Sequence, residues 1–157
     1  MDNDGRARIA GLGTAFTTSA TLAVDVDPSF HGAAPELIDP RRWGFSSARA
    51  TLATDVYAFA VLAWQVRMKL ATSTDKELMK MGLLVQVFAK RSPFPDRSVV
   101  AGIHWMSNGH RPKRPRHPEL SDRVWKIIEG SWKSDPSRRK KISEVVIILE
   151  AEVNAHK

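Results

Sequence analysis

The run Asp55-Val-Tyr-Ala-Phe-Ala-Val-Leu-Ala-Trp64 decides the fold, because every position after its first is apolar or aromatic and the run outlasts an ordinary buried strand. Buried strands span roughly four to eight residues, whereas this stretch keeps its character from Thr51 to about Val66, which is helical length. A helix that is apolar all round has to be covered on every side. Residues 51–65 are therefore expected to form the central buried helix of a mostly α domain.

Working outward, Asp75 to Lys90 carries Leu78, Met81, Leu84, Val85 and Phe88 at helical i, i+3, i+4 spacing, an amphipathic pattern that core packing explains. Three further helices are expected at Asp96 to Met106, Leu120 to Trp132, and Ile142 to about Val153. The last places Ile142, Val145, Val146, Leu149 and Val153 on one face, and Pro and Gly punctuate the intervals. On the other side, Asp2-Asn-Asp-Gly5 is a turn signal and Arg6-Ala-Arg-Ile9 alternates like a short strand, so half of a hairpin is implied. Gly11 to Ala34 shows no sustained period and reads as a long surface segment. The expected architecture is a helical bundle with a small β remnant at its N-terminus and no internal repeat.

With 157 residues, 43 % of them hydrophobic and 26 % charged, the chain suits one globular domain rather than two or a disordered tail. It contains no cysteine, which excludes disulfides, thiolate catalysis and Cys-ligated zinc. His31, His104, His110, His117 and His156 have no ligand spacing, so no metal site is expected. No apolar run of about 18 residues and no secretion signal are present, so the expectation is an intracellular, cytoplasmic protein without a membrane partner. The net charge of +7 concentrates in Arg111-Pro-Lys-Arg-Pro-Arg116 and Arg138-Arg-Lys-Lys141. Both clusters adjoin helix boundaries and lack interleaved aromatic platforms, which argues against nucleic acid.

Gly109-His-Arg-Pro-Lys-Arg-Pro115, Leu120-Ser-Asp-Arg-Val-Trp125, Trp132, Asp135-Pro136 and Arg139 together resemble the last subdomains of tyrosine-kinase-like protein kinases. Ala34-Pro35-Glu36 followed by Thr54-Asp-Val-Tyr-Ala-Phe-Ala-Val-Leu62 looks like the end of an activation segment and the central helix of that fold. The wording Pro-Glu-Leu-Ile-Asp-Pro with Asp-Val-Tyr-Ala-Phe-Ala is similar to large fungal kinase expansions. The resemblance implies a partial kinase C-terminal lobe over 1–157: β remnant and activation segment at 1–36, central helix at 51–65, an insertion at 66–86, and C-terminal helical subdomains at 87–157.

The resemblance implies structural roles. Glu36 would form a buried ion pair with Arg139, tying the activation segment to the helical base. Asp55 would accept backbone hydrogen bonds from a catalytic loop, although an Asp at this point equally suits simple capping of a helix N-terminus. Trp125 and Trp132 are core residues on either reading. In the last helix, Lys140 stands where the family usually has Pro and Lys141 where a hydroxyl cap often sits, so its start is expected to fray.

Phosphoryl transfer needs a phosphate-binding lysine, a glycine-rich cover, a catalytic-loop Asp and Asn, and the Asp of Asp-Phe-Gly on magnesium. The resemblance places all but the last upstream of Met1. Ala10-Gly-Leu-Gly-Thr14 aligns with Ala-Asp-Phe-Gly-Leu, so Gly11, Leu12 and Gly13 occupy the Asp-Phe-Gly position and Gly11 replaces the magnesium carboxylate. ATP and magnesium belong to the intact family, and no cofactor is expected here. Thr14, Thr17, Thr18, Ser19 and Thr21 fall where activation segments accept phosphate, and small hydroxyl residues are also common in plain loops.

Joining Gln65 to Val87 restores the family spacing up to Pro93-Phe-Pro95. The segment Val66 to Gln86 begins and ends with residues encodable as GTG-CGT-ATG and CAG, as a retained in-frame intron would. A looped-out helical hairpin on Leu78, Met81 and Leu84 is the alternative. Three functions follow: a catalytically dead kinase-like lobe; a non-catalytic module docking a protein through the surface near Asp96 to Met106 and the Arg111 to Arg116 loop; or a piece of an active kinase from a truncated gene. If the helix and loop that precede the activation segment in the family are missing, one flank of the central helix lies bare and the isolated chain is poorly soluble.

Overall fold

The computed structural model describes residues 32–72, 94, 97–116 and 120–155. Five α-helices are described: α1 (Pro35–Ile38), α2 (Leu52–Thr72), α3 (Val99–Ser107), α4 (Asp122–Ser131) and α5 (Ile142–Ala155). Two 3-10 turns join them, at Arg41–Trp43 and Pro136–Arg138. No strand occurs among the described residues, and the fold is mostly α. The expected strand near Arg6 and the helix of Asp75 to Lys90 lie outside the described residues.

α2 is the spine. Its start is fixed by a reciprocal cap: the Thr51 amide donates to Thr54 Oγ1 at 2.8 Å, and the Thr54 amide donates back to Thr51 Oγ1 at 3.3 Å. The two hydroxyls thus satisfy donors that the first helical turn leaves unpaired. The helix continues past Gln65 through Val66-Arg-Met-Lys-Leu-Ala-Thr72, residues of mostly good helix propensity, so it enters the segment read as an insertion. Val56, Tyr57, Ala60, Val61 and Trp64 are buried along one face. Leu52 and Leu62 on the other remain 59 % and 42 % exposed, so α2 is covered on one side and not all round.

The later helices begin where a serine can cap them. Ser98 Oγ accepts from the Ala101 amide at 3.3 Å and Ser121 Oγ from the Val124 amide at 3.2 Å, which moves the starts of α3 and α4 later than apolar periodicity alone placed them. Gly109, at φ +92°, ends the α3 region in a left-handed turn that a Cβ would strain. α4 turns Val124, Ile127 and Ile128 inward against α2. Burial of each such side chain contributes about 1.5–3 kcal/mol. The shared core comprises Ala34, Tyr57, Ala60, Val61, Trp64, Met106, Leu120, Val124, Ile128 and Trp132.

α5 has no hydroxyl cap, yet it starts at Ile142. Glu144 replaces the missing cap: its Oε1 accepts from the Lys141 amide at 3.2 Å, and its Oε2 lies 3.4 Å from Lys140 Nζ. This hydrogen bond holds the Glu144 carboxyl below its ordinary range. The expected frayed start is accordingly a closed one.

Candidate functional site

The best-defined polar constellation is a buried joint between the Pro35–Ile38 turn and the base of the bundle. Pro35 at the first position presets the helical backbone, and Glu36 follows it with only 3 % of its area exposed. Arg139 Nη1 and Nη2 donate to Glu36 Oε1 and Oε2 at 2.6 Å each, a two-pronged match of planar guanidinium to carboxylate. The remaining donors are also used: Nε to the Lys133 carbonyl at 2.8 Å, Nη1 to the Ala53 carbonyl at 2.8 Å and Nη2 to the Ser134 carbonyl at 3.2 Å. One side chain therefore ties together α1, the start of α2 and the loop after α4. Its own position is set by the adjoining turn, where Asp135 Oδ1 accepts from the Ser137 amide at 2.9 Å and hydroxyl at 2.7 Å. Those hydrogen bonds hold the Asp135 carboxyl below the usual range.

A second arginine, read from sequence as part of a solvated basic run, is drawn inward beside the first. Arg111 donates from Nε and Nη2 to the Trp132 carbonyl at 2.9 and 2.5 Å, from Nη1 to the carbonyls of Met106 and His110 at 2.7 Å each, and from Nη2 to Ser134 Oγ at 3.0 Å. The two guanidinium carbons sit 5.6 Å (Arg111) and 4.9 Å (Arg139) from the ring centroid of Tyr57, within cation–π range. Burial pushes the Tyr57 hydroxyl up from its ordinary 10.0, with the two arginines opposing that shift and Glu36 adding to it. Burial also lowers Arg111. Arg111 and Tyr57 were missed as partners, and the signal was the tyrosine itself: a phenol within an apolar helix calls for polar company.

Trp125 and Trp132 meet edge to face, with centroids 5.7 Å apart at 88°. Trp132 is buried and lies just past the end of α4 as its cap, whereas Trp125 is half-buried on the helix. Beside them a cleft of about 240 Å³ is bordered by Arg111, Pro112, Glu129, Lys133 and Ser134, so both signs of charge line it. All five guanidinium hydrogens of Arg111 are already donated, and the cleft offers no free arginine donor.

Asp55 stands in the first turn of α2, exposed; its amide donates to the Thr51 carbonyl at 3.2 Å and its carboxylate has no hydrogen bond among the described residues; the cap is made by Thr51 and Thr54, and the capping role considered for Asp55 is not the one observed. Neighbouring protein displaces part of its water shell and raises its carboxyl above 3.8. Ala34 is fully buried against the core. Gly11, Leu12, Gly13 and the hydroxyl residues Thr14, Thr17, Thr18, Ser19 and Thr21 lie outside the described residues. No cluster of three or more His, Asp or Glu suited to a metal occurs among the described residues, nor is any described helix long and apolar enough to cross a membrane.

A mostly α assembly in which a Pro-Glu turn is clamped to an arginine far along the chain suits a protein-kinase relationship, and the comparisons point the same way. The chain is 27 % identical over 154 residues to a dual serine/threonine and tyrosine protein kinase of Apis mellifera. The match covers 96 % of this chain and 13 % of that relative, so the chain spans about one-eighth of its length. No family model matches the chain.

Proposed function

We propose that the chain is a kinase-like C-terminal lobe fragment of the fungal, tyrosine-kinase-like type that transfers no phosphoryl group. The observation that carries the kinase-like reading is the Glu36–Arg139 pair, a buried two-pronged joint between residues 103 positions apart. Similarity to the dual-specificity kinase supports it over nearly the whole chain. The inactive state rests on Gly11: without a carboxylate at that position the ion that neutralises the transferring phosphate has no fixed seat, and transfer falls by orders of magnitude. An intracellular, cytoplasmic location accords with this reading.

The test is phosphate incorporation. Purified chain, incubated with magnesium, radiolabelled ATP and a general acceptor protein, should give counts equal to the enzyme-free control. Incorporation that an ATP-competitive kinase inhibitor abolishes would overturn the inactive reading. The reading of 66–86 as an insertion is tested on the message: a transcript lacking those codons supports a retained intron, and one that keeps them supports a looped-out hairpin. A message that extends upstream through a catalytic-loop Asp would favour the truncated-kinase reading, in which Gly11→Asp is the variant to assay.

A second reading, a non-catalytic interaction module, is favoured by the surface around α3. Val100 is 66 % exposed, and Arg97 stacks 3.6 Å above the Trp105 ring centroid, giving a mixed apolar and cationic patch. Arg111 contributes nothing to that surface because its guanidinium is spent internally. Capture of one defined protein, lost on Val100→Asp but retained on Glu150→Ala, an exposed residue outside both segments, would support docking there. Equal capture by both variants would remove it.

A further inference from the structure

The cleft beside Trp125 and Trp132 is lined by polar groups that no described residue answers. Glu129 and Lys133 stand four positions apart, a spacing that pairs Glu with Lys wherever a helix runs on. Here α4 stops at Ser131 and its cap, Trp132, takes φ −100° and ψ 26°, so Lys133 leaves the helical track. Both side chains are exposed at the cleft, and neither has an ion pair among the described residues. Ser134 adds a third group. Its Oγ accepts from Arg111 Nη2 at 3.0 Å, and its own hydroxyl hydrogen has no acceptor among the described residues. Gly109 leaves room beside that hydroxyl, since a Cβ there would stand 3.7 Å from Oγ. The rim is held in place by the buried joint: Arg139 donates to the Lys133 carbonyl at 2.8 Å and to the Ser134 carbonyl at 3.2 Å.

We propose that this cleft binds a small zwitterion, a free amino acid with an apolar side chain. The charges fix its direction. Lys133 and the Ser134 hydroxyl, with the Arg111 cation behind them, receive the carboxylate, while Glu129 receives the ammonium and the side chain lies against Trp125, Trp132 and Pro112. Arg114, the other cation near the Trp125 ring, is engaged by Asp122 and the Leu120 carbonyl. A lone anion would face Glu129, and a lone cation would face Lys133 and Arg111, so a ligand carrying both charges answers both ends. The volume suits this class, because 240 Å³ lies below the roughly 300–1,000 Å³ of sites for drug-sized ligands. Both charged side chains reach into water, so each contact is weak and a dissociation constant of about 1–10 mM is expected.

The probe is L-phenylalanine, titrated to about 50 mM into the isotope-labelled full chain and followed by amide chemical shifts. Saturable shifts at Trp125, Glu129 and Ser134 are expected. N-acetyl-L-phenylalanine, which lacks the ammonium, and phenethylamine, which lacks the carboxylate, should each bind about fivefold more weakly. Glu129→Gln should erase the advantage over the acetylated probe, and Lys133→Met the advantage over the amine. Both positions are exposed, so the circular dichroism spectrum should not change. No saturable shift, equal binding of the three probes, or parent-like selectivity in either variant would each overturn the proposal. This inference stands whether or not the kinase-like reading holds.

Discussion

Two arginine–carboxylate pairs in this protein have nearly the same contact distance and opposite surroundings. Arg139 and Glu36 meet at 2.6 Å with side chains 1 % and 3 % exposed, while Arg114 and Asp122 meet at 2.5 Å with side chains 39 % and 81 % exposed. In the first, both ions have left water and can recover that loss only from each other and from the three carbonyls around Arg139. In the second, water and salt replace whichever partner is removed. The lesson is that burial, and not contact geometry, decides which pair organises the fold.

Breaking the buried pair gives the largest expected effect. Glu36→Gln or Arg139→Met should each cost about 3–5 kcal/mol by urea denaturation, because each strands a buried charge or its hydrogen-bonding partners. Glu36→Leu combined with Arg139→Met should recover much of that loss, since no charge is left stranded. Next in size is the cap of α4: Ser121→Ala should cost about 1 kcal/mol in the same assay, by freeing the Val124 amide. Arg114→Met should cost no more than about 1 kcal/mol, chiefly by freeing the Leu120 carbonyl to which its Nη2 donates at 2.7 Å rather than by loss of Asp122, a clear contrast with Arg139.

The pH profile gives the smallest and most distributed effect. Asp122, Asp135 and Glu144 all have carboxyls held below their ordinary 3.8, 3.8 and 4.5, by hydrogen bonds from Arg114, from Ser137 and from the Lys141 amide respectively. In each, the folded chain holds its proton less tightly than the unfolded one. Their contribution is therefore complete above those ordinary values and disappears as pH falls through the depressed ones. Asp55, raised by burial, acts in the opposite sense and relieves a cost on protonation. At the alkaline end the folded chain keeps the Tyr57 proton that the unfolded chain loses near 10.0, so stability declines as pH rises beyond that value. Tyr57→Phe should flatten that alkaline limb, readable as a smaller drop in melting temperature between pH 9 and 11.

What was legible in the sequence follows the same division. The apolar α2 announced itself through the length of its unbroken apolar run, α4 as a helical stretch set off by Pro and Gly, and the Pro-Glu turn and Arg139 through a pattern that resembles a kinase lobe. The cap of α2 was obscured because Asp55 drew attention from the hydroxyl pair Thr51 and Thr54 just ahead of it, a pattern that fits a capping box with threonine in place of the usual Glu or Gln. Arg111 was hidden for a different reason. A guanidinium satisfied by carbonyls has no partner residue type to betray it, and in a basic run it looks like its solvated neighbours Lys113 and Arg116. Helix α5 shows the converse, in that its apolar positions were plain while the sequence could not say that the core covers only part of them.

The most direct test of the joint is a double-mutant cycle on Glu36 and Arg139, using Glu36→Gln, Arg139→Met and their combination in equilibrium urea unfolding. A buried, mutually dependent pair predicts a coupling energy of at least about 2 kcal/mol. A coupling below about 0.5 kcal/mol, with the single-variant losses simply adding, would contradict the claim that this pair clamps the Pro35–Ile38 turn to the helical base.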